Sequence, residues 1–416
     1  MAALQSVKGT RDLLPEDAAR NRLVEQTAYR IARHHGFGEI STPILEMTQV
    51  FKRTLGETSD VVTKEMYTFE DLDGESLTLR PENTAGVARA FISNGLTQAL
   101  PLKLFYAGPM FRREKAQKGR YRQFTQIGVE VLGVPGPQAD IEVLLLGWDI
   151  ITALGLADSV TLEINTLGDT ESRNAYRSVL VDYLAGHKDA LSEISRDRLS
   201  RNPLRVLDSK EPEDQAIIAA APAMGDHMTD AARAFFDTVL EGLTRHGVGY
   251  TLNPKLVRGL DYYGHTAFEF TTDRLGAQGT VMAGGRYDGL VKQMGGPPTP
   301  GVGWAAGVER LALMLEDAEA ALPRAITIIP VGGDTQDLAM TTAHQLRRAG
   351  LIVDMGYSGN LTKRLKRANK AHARAAVILG SEEVAEQAAT VRDLDSGAEA
   401  RVKLTDLEAH LQQFRP

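Results

Sequence analysis

The densest group of side chains able to bind a ligand lies in residues 111–124. Six cations and a single carboxylate, Glu114, give this segment a net charge of +5. Arginine forks bind phosphate oxygens in pairs, so several together suit a polyphosphate. A solvated charged hairpin would carry the same charge, but the next strand-like segment favours a ligand because it alternates Gln126, Gly128 and Glu130 onto one face. The cations are Arg112, Arg113, Lys115, Lys118, Arg120 and Arg122.

A second candidate group lies at the end of a predicted strand, in the sequence Arg80-Pro81-Glu82-Asn83-Thr84. A hydroxyl or amide at the start of the helix that follows is explained equally well by helix capping. Capping would not explain Glu82, and we therefore expect its carboxylate to bind an ammonium group.

Two segments that combine glycine with arginine and tyrosine, residues 258–263 and 283–289, are each predicted to follow a strand. Glycine lets the backbone approach a ligand that neighbouring side chains bind, although ordinary glycine turns would look the same. Gly301, Gly303 and residues 307–310 extend the pattern. The sequence contains neither a Walker nor a dinucleotide-binding glycine loop, so a nucleotide site must be built differently.

The overall composition is typical of a globular protein of two to three domains. The 416 residues carry 47 basic and 54 acidic side chains, a net charge of −7, so bulk charge does not indicate a nucleic-acid partner. The lack of cysteine excludes disulfides, thiolate metal sites and cysteine nucleophiles. The amino terminus has no apolar segment typical of a signal peptide, and the apolar residues 143–157 are too few to span a bilayer. We therefore expect a cytoplasmic protein.

The elements that must position the candidate residues follow from periodicity and turn signals. Pro15 followed by two acidic residues opens an amphipathic helix that Gly36 ends. Asp73-Gly74 predicts a hairpin, and residues 102–110 and 122–132 predict a pair of antiparallel strands. Further strands are predicted at 160–166, 250–257, 266–272 and 280–283.

The domain organisation follows from changes along the chain. Residues 170–246 are polar, helix-like and interrupted by prolines, which indicates an inserted helical subdomain. After an acidic, alanine-rich linker at 316–323, short apolar strands alternate with helices, as in a separate α/β domain. The predicted parts are 1–169, an insertion at 170–247, a return to the first domain at 248–322 and a terminal domain at 323–416.

The terminal domain contains the second basic segment, residues 345–376, with eight basic side chains and one acidic. The resulting +7 charge would most often be a solvated helix face. Its place in a separate domain fits contacts to RNA phosphates and to an RNA single strand. The nine histidines show no metal-ligand spacing, and we predict no protein metal site.

Several of these segments resemble known motifs. The segment around Pro43, Arg112 with its charged loop, and residues 307–310 are similar to motifs 1, 2 and 3 of the class II aminoacyl-tRNA synthetases. Residues 256–263 and 283–288 resemble the two histidine-specific motifs of the histidyl-tRNA synthetase family. The resemblance extends over essentially the whole chain.

The resemblance implies an α+β fold. An antiparallel sheet flanked by helices would carry a helical insertion and be followed by an α/β anticodon-binding domain. It also implies a reaction in two steps, in which ATP converts histidine to histidyl-adenylate and the acyl group then passes to the 3′ end of histidine tRNA. ATP as substrate, Mg²⁺ on the pyrophosphate, and a homodimer with the Pro43 region at its interface are further implications.

Family resemblance also assigns roles to single residues. The catalytic residues would be Arg112 and Arg258, with Arg258 over the α-phosphate. Both would act as preorganised donors that stabilise the charge built up in the transition state. The ATP-binding set would be Arg112, Glu114, Arg120 and Arg310. The tRNA-binding set would be Arg113, Lys115 and Gln117 in the motif 2 loop, with Lys363, Arg364 and Arg367 in the terminal domain.

The histidine-binding residues implied by the resemblance divide into two groups. Glu82, Thr84 and Gln126 would surround the α-amino group. Glu130 and Tyr263 would engage both nitrogens of the imidazole. A competing amino acid without these two nitrogens would leave buried polar groups of the protein unsatisfied. Tyr262 and Tyr287 would line the same pocket.

A second hypothesis of a different class is a non-catalytic paralogue that binds histidine and regulates ATP phosphoribosyltransferase. Such paralogues resemble the catalytic body, but they lack the anticodon-binding domain and often lose the catalytic arginine. Arg258 is present here and a full α/β domain follows, which favours the enzyme.

Overall fold

The computed structural model describes residues 4–56, 61–115, 117–257, 262–276, 279–315, 324–333 and 335–415. The chain divides into two compact units, residues 1–320 and 321–416. The helices of the first unit are α1 (Pro15–His34), α2 (Thr48–Leu55), α3 (Thr84–Ser93), α4 (Gln138–Ala153), α5 (Thr170–Gly186), α6 (Glu193–Arg201), α7 (Pro212–Ala219), α8 (Asp230–Arg245), α9 (Leu290–Gln293) and α10 (Val308–Met314).

The strands of the first unit form two sheets. They are β1 (Gly38–Glu39), β2 (Leu45–Met47), β3 (Tyr67–Glu70), β4 (Ser76–Leu79), β5 (Leu102–Phe111), β6 (Gln123–Leu132), β7 (Thr161–Thr166), β8 (Thr251–Leu252), β9 (Gly264–Thr271), β10 (Thr280–Arg286) and β11 (Gly301–Gly307). The large sheet has the order β1-β5-β6-β11-β10-β9-β7-β8 and is antiparallel from β5 to β7. The predicted antiparallel sheet flanked by helices is therefore confirmed.

Two predicted hairpin pairs are present in the structure. The β3 and β4 strands pair across Asp73-Gly74, and Gly74 has the positive φ of 81° that such a turn requires. β5 and β6 pair along their full length, from Leu102 opposite Leu132 to Phe111 opposite Gln123. This pairing presents the charged loop at one end of the large sheet.

Two strand predictions were wrong. Gly284 and Gly285 do not follow a strand but lie within β10, between β9 and β11. A Cβ on Gly284 would lie 2.1 Å from the carbonyl oxygen of Gly303, so glycine is needed here for close strand packing and not for a turn. The strand predicted at 250–257 shrinks to the two residues of β8, since Pro254 has no N–H to continue the ladder.

Helices cover both faces of the large sheet. On one face, apolar residues of α1, α4, α8 and α10, such as Val24, Val143 and Leu311, pack against the sheet. On the other, α2, α3 and α9 contribute Phe51, Phe91 and other side chains to a second core, which continues into α5 and α7, within the predicted insertion. The ends of the strands near α3 and α10 are left open between these layers.

The second unit is a five-stranded mixed sheet of order β13-β12-β14-β15-β16, parallel from β13 to β14 and antiparallel beyond. This is the predicted terminal α/β fold, to which the chain adds an antiparallel edge. Among the described residues, no helix is long and apolar enough to cross a membrane. The elements are β12 (Ile326–Pro330), α11 (Gln336–Arg348), β13 (Val353–Met355), α12 (Leu361–Lys370), β14 (Ala375–Leu379), α13 (Ser381–Ala385), β15 (Ala388–Asp393), β16 (Glu399–Lys403) and α14 (Leu407–Leu411).

Candidate active site

A cleft of about 290 Å³ opens over β6, β9, β10 and β11, beside the start of α3 and α10. Glu130 and Tyr287 lie just beneath its wall, each only 1% exposed. Arg258 lies outside the described residues. The predicted residues that line the cleft are Glu82, Thr84, Arg112, Glu114, Arg120, Gln126, Tyr262, Tyr263 and Arg310.

Glu82 caps helix α3, contrary to the expectation that capping would not explain it. Its carboxylate accepts hydrogen bonds from the backbone N–H of Thr84 (2.7 Å) and of Ala85 (3.0 Å). Asn83 instead accepts hydrogen bonds from Thr42 and Arg80. Burial raises the pKa of Glu82. Each carboxylate oxygen retains a further lone pair, so capping and binding of a cation in the cleft are compatible.

Glu130 is held by two hydroxyl groups. Thr84 donates to its Oε1 at 2.7 Å, and Tyr287 donates to its Oε2. Burial raises the pKa of Glu130 to about 8, although both hydrogen bonds oppose that shift. A Cβ on Gly303, the residue opposite on β11, would lie 2.0 Å from Oε2, so this glycine leaves the room that the carboxylate occupies.

Gln126 lies four residues before Glu130, on the same face of β6, and is 7% exposed. Its Oε1 is buried and has no hydrogen-bond partner among the described residues. A buried carbonyl oxygen without a donor costs free energy unless a ligand supplies one. Gln126 is therefore an acceptor prepared for a donor that enters the cleft.

Three tyrosines form a cluster at the cleft. The ring centroids of Tyr262 and Tyr263 lie 4.5 Å apart, and Tyr287 packs edge-on against both, at 5.8 and 6.4 Å. Burial raises the pKa of Tyr262 and of Tyr287 well above its usual value. The phenols of Tyr262 and Tyr287 therefore stay protonated at physiological pH and can act as hydrogen-bond donors.

The cationic wall of the cleft combines Arg112, Arg120 and Arg310. Arg112 donates to the carbonyl oxygen of Pro81 at 2.8 Å, which places it beside Glu82, and Arg120 pairs with Glu114 at 2.9 Å. Burial and the charge of Arg120 lower the pKa of Arg310. A bound anion would relieve the repulsion between the positive charges of Arg120 and Arg310.

The loop that joins β5 to β6 also exposes polar side chains to solvent. Arg113, Lys115 and Gln117 are exposed, and a tight turn, in which Gly119 has φ 75°, returns the chain to Arg120. The three side chains that resemblance assigned to tRNA thus lie on the surface beside the cleft and not within it.

Basic side chains of α12 in the second unit differ in exposure. Lys363 and Arg367 are exposed, whereas Arg364 is half-buried and donates to the carbonyl oxygen of Pro330. Tyr357, 73% exposed, lies shortly before this helix. The sequence analysis did not single out Tyr357, although an exposed aromatic next to cations is typical of single-strand RNA binding.

Arg286, which belongs to one of the glycine segments, does not face the cleft. It is fully buried and pairs with Asp140 of α4, and it donates to the carbonyl oxygens of Val134 and Gly136. The expectation that its side chain binds a ligand is therefore wrong. It fixes the strand end from which the neighbouring Tyr287 reaches Glu130.

Other cleft residues were not identified from the sequence. Glu269 of β9 accepts a hydrogen bond from Thr280 at 2.6 Å, and Glu309 of α10 accepts one from the backbone N–H of Thr125 at 2.8 Å. A carboxylate on an otherwise apolar strand was the available signal for Glu269. The contact between Glu269 and Thr280 depends on the pairing of β9 with β10 and could not be predicted from the sequence.

Comparison with known proteins identifies both units. The family model described as histidyl-tRNA synthetase matches residues 9–311, and that of an anticodon binding domain matches residues 325–414. A histidine--tRNA ligase from Rhodospirillum rubrum is 60% identical over all of both chains, and one from Gluconacetobacter diazotrophicus is 55% identical over 99% of both. The crystal structure of an apo histidyl-tRNA synthetase from S. aureus superposes with a TM-score of 0.82 at 33% identity, covering 98% of this chain and 99% of the other.

Proposed function

The chain belongs to the histidyl-tRNA synthetase family, and on this premise we propose how its residues share the work of the reaction. Its activity is that of a histidine--tRNA ligase, which joins L-histidine to its tRNA with consumption of ATP. In the first step the carboxylate of histidine attacks the α-phosphate and pyrophosphate leaves. In the second, the terminal ribose hydroxyl of the tRNA takes the acyl group.

The arginines would bind ATP and stabilise the charge that builds up on its phosphates. Arg112 and Arg310 would hold the α- and γ-phosphate regions, with Arg120 nearby and Glu114 keeping Arg120 in place. Arg258, by resemblance, would lie over the α-phosphate. Cations fixed in a cleft before the reaction starts lower the barrier without any protein nucleophile.

Histidine would be recognised at both of its polar ends. Glu82, Thr84 and the unpartnered Oε1 of Gln126 would accept hydrogen bonds from the α-ammonium group. Glu130 and Tyr263 would engage the imidazole nitrogens, with Tyr262 and Tyr287 packed around them. Because Thr84 and Tyr287 already donate to Glu130, its carboxyl group is oriented before histidine arrives.

For the tRNA, we assign the exposed Arg113, Lys115 and Gln117 to contacts near its acceptor end. Lys363 and Arg367 on α12 would bind phosphates around the anticodon, and the charge of the half-buried Arg364 would add to the local field. We place the ligase in the cytoplasm, as is typical of its family.

Mg²⁺ would accompany ATP. The described residues contain no cluster of three acidic or histidine side chains able to hold a metal ion. Glu269 does offer one carboxylate in the cleft. One or two carboxylates plus substrate phosphates are the usual donor set for Mg²⁺, so the site fits a metal that arrives with ATP. Bound there, Mg²⁺ would neutralise charge on the pyrophosphate.

A homodimer is also part of the proposal. The small sheet β2-β4-β3 exposes Leu45, Met47 and Phe69 by 42–45% each, and Leu72 at the hairpin is fully exposed. Neighbouring apolar side chains on a sheet surface are typical of a protein interface. The Pro43 segment precedes this sheet, which agrees with the motif 1 interface of the family.

The observation that carries these assignments is one cleft that combines a buried, unpartnered acceptor with clustered arginines. We expect histidine-dependent ATP–pyrophosphate exchange that is severely reduced in Arg258→Ala, with tRNA charging lost as well. A wild-type chain that binds histidine but supports no exchange would instead fit the regulatory paralogue. Charging of histidine tRNA transcripts with and without an additional 5′ guanosine would show whether that nucleotide is part of the RNA substrate.

A further inference from the structure

Arg173, a half-buried residue in the first turn of α5, contacts the main chain of the tyrosine cluster. Its Nη1 donates to the carbonyl oxygen of Tyr263 at 2.6 Å. A Cβ on the next residue, Gly264, would lie 3.5 Å from the same nitrogen, so the guanidinium packs closely against that backbone. A residue of the helical insertion thus holds the segment that brings Tyr263 into the cleft.

Arg173 is itself anchored by its own helix. Asp169, whose charge faces Arg173, caps α5 by accepting from the N–H of Ser172 at 2.8 Å and accepts from the hydroxyl of Thr229, at the start of α8, at 2.6 Å. Burial would raise the pKa of Asp169, but these hydrogen bonds lower it to about 2. The carboxylate whose charge acts on Arg173 therefore remains ionised at physiological pH.

A second attachment lies two residues further on, at His265. Its backbone N–H donates to the carbonyl oxygen of Gly168 at 2.9 Å, and its own carbonyl accepts from the N–H of Leu167 at 2.6 Å. Its ring packs against Phe235 of α8 at 4.6 Å. His265 adopts a positive φ of 45°, which a residue with a side chain rarely does unless its surroundings enforce it. The main chain after Tyr263 is thus also held by residues 167–168, just before α5, and by α8.

We propose that Arg173 is a positioning residue for histidine, which acts by fixing the main chain of Tyr263 so that its phenol faces the imidazole. The proposal rests on the role assigned above to Tyr263. It gives the insertion a part in amino-acid recognition, since α5 and α8 supply the anchors. Arg173 does not line the cleft, so it would act through Tyr263 and not by contact with the substrate.

The first test is ATP–pyrophosphate exchange with Arg173→Ala in the full chain. We expect the KM for histidine to rise about tenfold, because a misplaced phenol loses one hydrogen bond to the imidazole. The KM for ATP should stay within about twofold of wild type. The matched control is Arg177→Ala, an exposed arginine one turn further along the same helix, which should behave as wild type. Arg173→Lys should recover part of the histidine affinity, because an ammonium group can also donate to the carbonyl.

A double-mutant cycle with Tyr263→Phe separates the two proposals. If Arg173 acts through the phenol, the double variant will have the histidine KM of Tyr263→Phe alone. Equal rises of both KM values in Arg173→Ala, or additive effects in the double variant, would show a merely structural role and overturn the inference. An unchanged KM in Tyr263→Phe would instead refute the role of Tyr263, and Arg173→Ala would then be expected to leave histidine binding intact.

Discussion

The chain concentrates positive charge in two regions, the β5–β6 loop with its cleft in the first unit and helix α12 in the second. In the cleft, Arg112 and Arg120 each lie within 3.6 Å of a Glu114 oxygen, and burial lowers the pKa of Arg310. On α12, no ion pair among the described residues involves Lys363, Arg364 or Arg367, and two of the three side chains are exposed.

Two segments of similar net charge can therefore serve different chemical purposes. Carboxylates and main-chain carbonyls hold the cleft arginines in fixed positions, as electrostatic catalysis requires. Exposed cations on a helix keep their hydration and rotamer freedom, and they suit contacts to a phosphate backbone whose strength depends on salt. Variants in the cleft should therefore affect ATP–pyrophosphate exchange, whereas variants on α12 should affect the use of tRNA.

The largest effect is expected for Arg112→Ala in the cleft. Removing a preorganised cation from the reacting phosphate should reduce the rate of exchange about 10³-fold. Circular dichroism and thermal unfolding would confirm that the fold persists. Arg30→Ala, an exposed arginine on α1, is the control and should exchange at the wild-type rate. Exchange at the wild-type rate in Arg112→Ala would show that this cleft arginine is not catalytic, and the contrast with α12 would no longer hold.

The next largest effect is expected for Glu130→Gln. An amide offers one acceptor oxygen, so it cannot accept from both Thr84 and Tyr287, and it cannot reach the ionised form, with two acceptor oxygens, that Glu130 can take. We expect the KM for histidine to rise about 100-fold in exchange assays. A normal KM in this variant would place the imidazole elsewhere in the cleft.

The same variant gives a test in pH. Because the pKa of Glu130 is raised to about 8 in the folded chain, the native state holds a proton that the unfolded state releases above its ordinary value of 4.5. The wild-type free energy of unfolding should therefore fall as pH rises from 4.5 to 8, relative to that of Glu130→Gln. Parallel urea titrations of both proteins across this range measure the difference.

A smaller effect is expected when the exposed cations of α12 are removed together. Lys363→Ala with Arg367→Ala should lower kcat/KM for tRNA about tenfold and reduce the slope of binding against salt by about 2, while exchange stays unchanged. Lys403→Ala, exposed on β16, is the control in the same unit. Reduced exchange in the double variant would contradict the separation of the two regions.

The smallest effect is expected for Arg364→Ala, which should destabilise the second unit by about 1 kcal/mol because the carbonyl of Pro330 loses its donor. Lys363→Ala, one residue earlier and exposed, should change the unfolding midpoint little. Thermal unfolding of the two variants side by side decides whether Arg364 is mainly structural.

Much of the site could be predicted from local sequence, because turn chemistry and strand periodicity act over a few residues. The β5–β6 pairing and the alternation of Gln126 and Glu130 are examples. The capping role of Glu82 was missed, since the start of α3 had to be located to within one residue. The burial of Arg286 could not be predicted, because its partner Asp140 lies 146 residues away in the chain.

The chemical groups available to this protein can be read from its residues alone. The sequence supplies arginines and carboxylates without a single cysteine, a hairpin at Asp73-Gly74 and the motifs of a family. Tertiary structure alone decided which of these groups face the cleft, which carboxyl has its pKa raised to about 8, and which arginine from the insertion holds Tyr263. The physical reason is that burial and hydrogen bonding depend on neighbours brought together by folding, whereas residue type and local periodicity do not.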